Sequence, residues 1–146
     1  MEAYDAILFP VHGPAKIFPL MTSLESLLYP VTGARCTTRR PHPELYMSLS
    51  GSGLVCERIA SLYGMNRTFS DAFVVFYAAG QRSEAALAVN ACIAEIQGRG
   101  FREQAAWRGD VVVVKYRNVD NGDIVCCPAS DFPLVKNFFA LHYPQH

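Results

Sequence analysis

Apolar runs broken by glycine, proline and short polar turns divide this chain into extended and helical stretches. Tyr4 to Phe9 is one such run, ends at Pro10 and predicts a buried strand. His12-Gly13-Pro14 turns the chain, and Lys16 to Met21 returns it. Pro19 places that return strand at a sheet edge, because proline has no N–H to donate to a neighbouring ladder. Thr22 precedes Glu25 at capping-box spacing, which predicts a short helix over Ser23 to Tyr29 that stops before Pro30. The other end reads alike. Val111 to Tyr116 predicts a strand, Asp120 to Asp123 a turn, and Ile124 to Cys127 the return strand. Ser130 then caps a helix with Pro133 in its first turn, where a missing donor does no harm. Leu134, Val135, Phe138, Phe139 and Leu141 form the apolar face of that helix.

Between these blocks the pattern is less regular. Val31 to Pro43 has no hydrophobic period and reads as a surface loop or irregular edge. Glu44 to Leu49 alternates as a strand would. Leu54 to Tyr63 fits a helix with Val55, Ile59 and Leu62 on one face. It also fits a strand hairpinned to residues 44–49 across Gly51-Ser52-Gly53, and the hairpin is preferred. Ala72 to Tyr77 is apolar on both faces and predicts a central strand. Ser83 caps a helix over Glu84 to Gln97, with Gly98 at the position where a left-handed residue ends a helix. Asn66-Arg67, after Gly64, reads as a turn.

These elements predict a single α+β domain over residues 1–146. Its sheet is mixed but mostly antiparallel, with helices on one face and a ββα unit at each end whose apolar face needs cover. Hydrophobic residues make up 51% and charged residues 18%, against a usual quarter or so, which leaves an apolar patch to cover and points to a homodimer. The 13 basic and 13 acidic residues cancel, and a neutral chain is a poor ligand for duplex nucleic acid. No basic leader precedes an apolar run and no stretch reaches the length of a membrane span, so the expectation is a soluble cytoplasmic protein without membrane contact. The odd set of five cysteines has no framework spacing and reads as reduced thiols.

Candidate chemistry is sparse. A strand before Gly51-Ser52-Gly53 suggests a phosphate loop, but Cys56 stands where a third glycine would, and a hairpin turn explains the glycines. Cys36 and His42 share one polar segment without a spacing that makes a nucleophile and base. Cys126 and Cys127 are adjacent, so a strand points them to opposite faces and they cannot chelate one ion together. No catalytic residue, metal site or cofactor is therefore assigned. Arg35, Arg39, Arg40 and His42 form the one concentration of charge, suited to an anion or an acidic partner, with a solvated loop as the plainer reading. Phe18, Phe101, Trp107, Phe138 and Phe139 are the candidate interface anchors, or else core.

Val55-Cys56-Glu57, Asn66-Arg67 and Gly109-Asp110-Val111-Val112-Val113-Val114 resemble short motifs of a domain family of unknown function found in phage and mobile-element genes. The resemblance covers about half the chain and implies a hairpin and helix at each end, with the central strand and the helix from Ser83 as an insertion. It implies no activity and no functional residues. The functional expectation is a non-enzymatic domain acting through contacts with an unidentified protein partner, foremost a second copy of itself. The alternatives are a small-molecule or anion binder, or a small enzyme, with its pocket between sheet and helices and the arginine segment at the rim. A nucleic-acid accessory protein ranks behind these.

Overall fold

The computed structural model describes residues 2–28, 33–49, 51, 53–61, 68–81, 87–119 and 122–145. Within them the chain forms β1 (Glu2–Phe9), β2 (Lys16–Leu28), β3 (Arg35–Pro41), β4 (Leu54–Ser61), β5 (Thr68–Ala78), α1 (Ala91–Gln97), β6 (Val111–Asn118), β7 (Asp123–Val125) and α2 (Phe132–Leu141). The strands make one antiparallel sheet in the order β3-β2-β1-β6-β5-β4, with β7 paired to β6 beside that path. It is an α+β arrangement.

The central strands explain themselves. Val111 to Val114 are all buried because β6 is covered on both sides. Val111 and Val113 join Ile7, Phe9, Val75 and Tyr77 under the helices. Val112 and Val114 join Phe18, Leu20 and Val74 on the opposite, helix-free face, which among the described residues carries no α-helix. Both helices lie on the first face. There Trp107 meets Tyr77 edge-on at 5.1 Å and Phe139 at 5.2 Å, and Phe139 reaches Phe9 at 4.8 Å.

Several elements differ from expectation. Residues 22–28 continue β2 instead of forming a helix. Thr22 is buried and donates its hydroxyl to the Glu2 carbonyl on β1 (2.7 Å), so it caps nothing. Ser23 to Leu28 pair with Arg40 to Arg35 on β3, the segment that reads as a loop. A one- to two-turn helix is marginal by itself, and a continuous ladder satisfies the same backbone groups without a nucleation cost. The terminal blocks are therefore not equivalent: the first is three strands, and the second runs β6, β7, α2.

Pro43 to Tyr46 form a short 3₁₀ turn in place of the expected strand, since Pro43 has no N–H and the Leu45 N–H bonds back to the His42 carbonyl (3.2 Å). β4 is extended, as the preferred reading had it, but its partner is β5. Gly98 does end α1 with positive φ, its N–H donating to the Ala94 carbonyl. The helix begins only at Ala91, because Val89 bridges Arg108 and the Ala88 carbonyl accepts the Gly109 N–H, holding residues 87–90 extended. Asn90 supplies the cap; Ser83 and residues 84–86 lie outside the described residues, as do Asn66, Arg67, Asp120 and Asn121. At α2, Asp131 occupies the cap position, but its carboxylate bonds Lys115 on β6, and Ser130 belongs to the 3₁₀ turn before it.

Candidate functional site

Period-two alternation along β4, β5 and β6 turns Cys56, Val74, Phe76 and Tyr116 to the helix-free face, with Cys56 set opposite Phe76 in the ladder. Deeper in that face Phe18, Leu20, Met47, Val112 and Val114 close the core, and Tyr46 packs edge-on to Phe18 at 4.9 Å. Toward β4 the packing stops short. What remains is a cleft of about 310 Å³, its floor made by Leu54, Val74, Phe76, Tyr116 and Val119.

The rim is polar and comes from distant parts of the chain. Arg40 and Pro41 at the end of β3, and Glu44 in the following turn, form one side. Gly122 forms the other. A Cβ built there would stand 3.0 Å from the Thr38 Cβ, so the β6–β7 turn is pressed against β3 at the one residue that leaves room. That contact curls the sheet and brings the β3 end over the floor.

Charges at the rim are unequally satisfied. Glu44 accepts from His42 Nδ1 (3.2 Å), and His42 Nε2 pairs with the Ser23 hydroxyl (2.7 Å), so both ring nitrogens are occupied. Arg39 ion-pairs with Glu2 (3.3 Å), donates to the Thr22 hydroxyl (3.1 Å) and lies over the Tyr4 ring. The side chain of Arg40 is exposed and has no ion-pair or hydrogen-bond partner among the described residues. Burial, with the neighbouring Cys56 contributing, pushes the Tyr116 phenol up to about 12, so it faces the cleft as a neutral hydroxyl. Cys56 is an exposed free thiol with no imidazole among the cleft's described lining residues.

The arginine cluster of the sequence is thus divided. On a strand Arg39 and Arg40 point to opposite sides, and Arg35 stands exposed on the Arg39 side at the far end of β3. Of that set Arg40 reaches the cleft, while Arg39 and His42 are engaged within the fold. Phe18, Trp107, Phe138 and Phe139 are buried inside the chain, and Phe101 is half-buried. The cleft floor eluded the sequence reading, although apolar residues on both faces of β5 and β6 already required cover on two sides.

Two hollows on the helix side offer less. One, about 580 Å³, is lined by Gly13–Ala15, α1 and Lys136, and its Cys92 thiol is pushed up by burial and so held protonated. The other, about 500 Å³, contains Glu57 and His142. There Glu57 accepts from the Tyr77 hydroxyl (2.7 Å) and the Gln145 N–H (2.9 Å), and His142 Nδ1 bonds the Phe138 carbonyl (2.9 Å). These polar groups tie the C-terminal segment to β4.

Among the described residues no group of three or more His, Cys, Asp or Glu side chains is placed to hold a metal ion. None of their helices is long and apolar enough to cross a membrane. Comparison with family models, with curated proteins and with solved structures returns no match. Val55-Cys56-Glu57 lie on β4, and Gly109 to Val114 lead into β6.

Proposed function

We propose that this chain is a non-enzymatic binding domain that takes a small, largely apolar molecule into the cleft on the helix-free face of its sheet. One observation carries the reading: five apolar side chains from three strands and a turn converge on a space that the protein's own core does not fill. Small-molecule sites are concave, mostly apolar and roughly 300–1,000 Å³, with a few polar groups fixing orientation. This cleft is at the small end of that range. Its polar groups (the Arg40 guanidinium, the Tyr116 hydroxyl and the Cys56 thiol) can orient a ligand.

A neutral hydrophobic fluorophore such as N-phenyl-1-naphthylamine tests this. Saturable, equimolar fluorescence enhancement is expected for the native chain, with affinity lowered about tenfold or more in Cys56→Phe, which fills the cleft from the edge strand. Equal binding by native and Cys56→Phe chains of equal stability, or no saturable binding at all, would sink the reading.

A second reading, self-association, is favoured by a separate feature. Leu24 and Leu28 are 65% and 60% exposed and share one face of the β2–β3 ribbon. Across the ladder they face Arg39 and Arg35. A second copy laid ribbon to ribbon would bury both leucines twice, and the guanidinium of Arg39 is already neutralised by Glu2.

A further inference from the structure

The cleft has one side that apolar packing does not explain. Arg40 is at its mouth without an ion-pair or hydrogen-bond partner among the described residues, while the acid on the rim, Glu44, is bound by His42 at 3.2 Å, and the adjacent Arg39 is balanced by Glu2 at 3.3 Å. Among the described lining residues Arg40 is accordingly the charged side chain left to meet a ligand, over a floor of Leu54, Val74, Phe76, Tyr116 and Val119. From this juxtaposition, and resting on the reading of the cleft as a ligand site, we infer that the occupant is a free amphiphilic monocarboxylate, its apolar body on the β5–β6 floor and its carboxylate on Arg40. The guanidinium fork matches a carboxylate in two parallel hydrogen bonds, and a low-dielectric wall beside it strengthens them. A cationic amphiphile would meet Arg40 unpaired and find Glu44 already engaged. A neutral one would bury its body equally well but leave the guanidinium unused. The volume of about 310 Å³ suits one compact molecule.

The test is displacement of the neutral fluorophore by decanoate, 1-decanol and decyltrimethylammonium, each below its aggregation threshold. In the native chain decanoate is expected to displace at about tenfold lower concentration than decanol, with the ammonium weakest, and its advantage to shrink as salt is added. In Arg40→Gln decanoate is expected to fall to the level of decanol, while decanol is unchanged. Arg40 is exposed, so that variant keeps the native fold. Equal displacement by decanoate and decanol in the native chain, or an advantage that survives Arg40→Gln, removes the anion while leaving the cleft as a ligand site. Displacement by none of the three removes the cleft and the anion together.

Discussion

The side chain of Asn90 closes three hydrogen bonds at one point where loops meet. Its amide donates to the carbonyls of Phe9 and Gly109, both at 2.9 Å, and its oxygen accepts the Ile93 N–H at 2.9 Å to cap α1. The residue is 1% exposed, so none of these groups has water as a substitute. Gln81 acts similarly, donating to the Ala78 and Arg108 carbonyls at 2.8 Å and accepting the Arg108 N–H at 2.6 Å. Both amides bond backbone at the ends of strands and in the loops beside them. Asn90→Ala would lose a cap worth about 1 kcal/mol and leave two buried carbonyls unpaired at about 1–3 kcal/mol each, so a total loss of about 3 kcal/mol or more is expected in urea unfolding. A loss below about 1 kcal/mol would mean that the three bonds are replaceable. Neither amide was legible in sequence, because a polar letter in a mixed segment reads as surface.

At the scale of elements, the junction of β7 and α2 is held by charge. Lys115 on β6 bonds Asp131 at 2.8 Å and approaches Asp71 at 3.9 Å, pinning the start of α2 to the sheet. Cys127 is buried beside it, its sulfur 3.8 Å from the Asp131 carboxylate. Burial first, and then the negative charge of Asp131, push the Cys127 thiol from 9.0 to about 12. A group protonated more tightly in the folded than in the unfolded chain stabilises the fold fully below the unfolded value. That contribution is lost as pH rises through the window from 9 to about 12. Tyr116 shifts in the same sense, from 10.0 to about 12, so the useful quantity is a difference. The unfolding free energy of the native chain is expected to fall more steeply over that window than that of Cys127→Ala. Parallel curves for the two would show that the thiol does not titrate with folding.

For the molecule as a whole, the open question is what covers the β2–β3 ribbon. Past the Glu2–Thr22 pair, at the first residue of β1, residues 23–28 have β3 as their ladder partner among the described residues, and a two-stranded ribbon is marginal in water without further burial. Sedimentation at micromolar concentration is expected to give twice 16.2 kDa for the native chain and 16.2 kDa for Leu24→Ser/Leu28→Ser. A native chain that sediments at 16.2 kDa would end the self-association reading.

What could be read from residues alone was local and periodic. The runs at Tyr4–Phe9, Ala72–Tyr77 and Val111–Tyr116 are too apolar and too short to be anything but buried strands, and they form the middle of the sheet. Gly98 marks a helix end because its positive φ is a property of the residue itself. Pairing is a different matter. A capping box at Thr22 and Glu25 and a β-ladder with residues 35–41 are both available to the same residues, and the choice rests on a partner strand whose own pattern, three arginines and a proline, resembles a loop. Alternation along that strand then separated arginines that lie side by side in the chain. The cleft needed every one of those choices, since its walls come from residues 40 to 122 and meet only where the β6–β7 turn closes on β3. Short-range sterics and hydrophobic period set the elements; long-range hydrogen-bond competition and the curl of the sheet set the site.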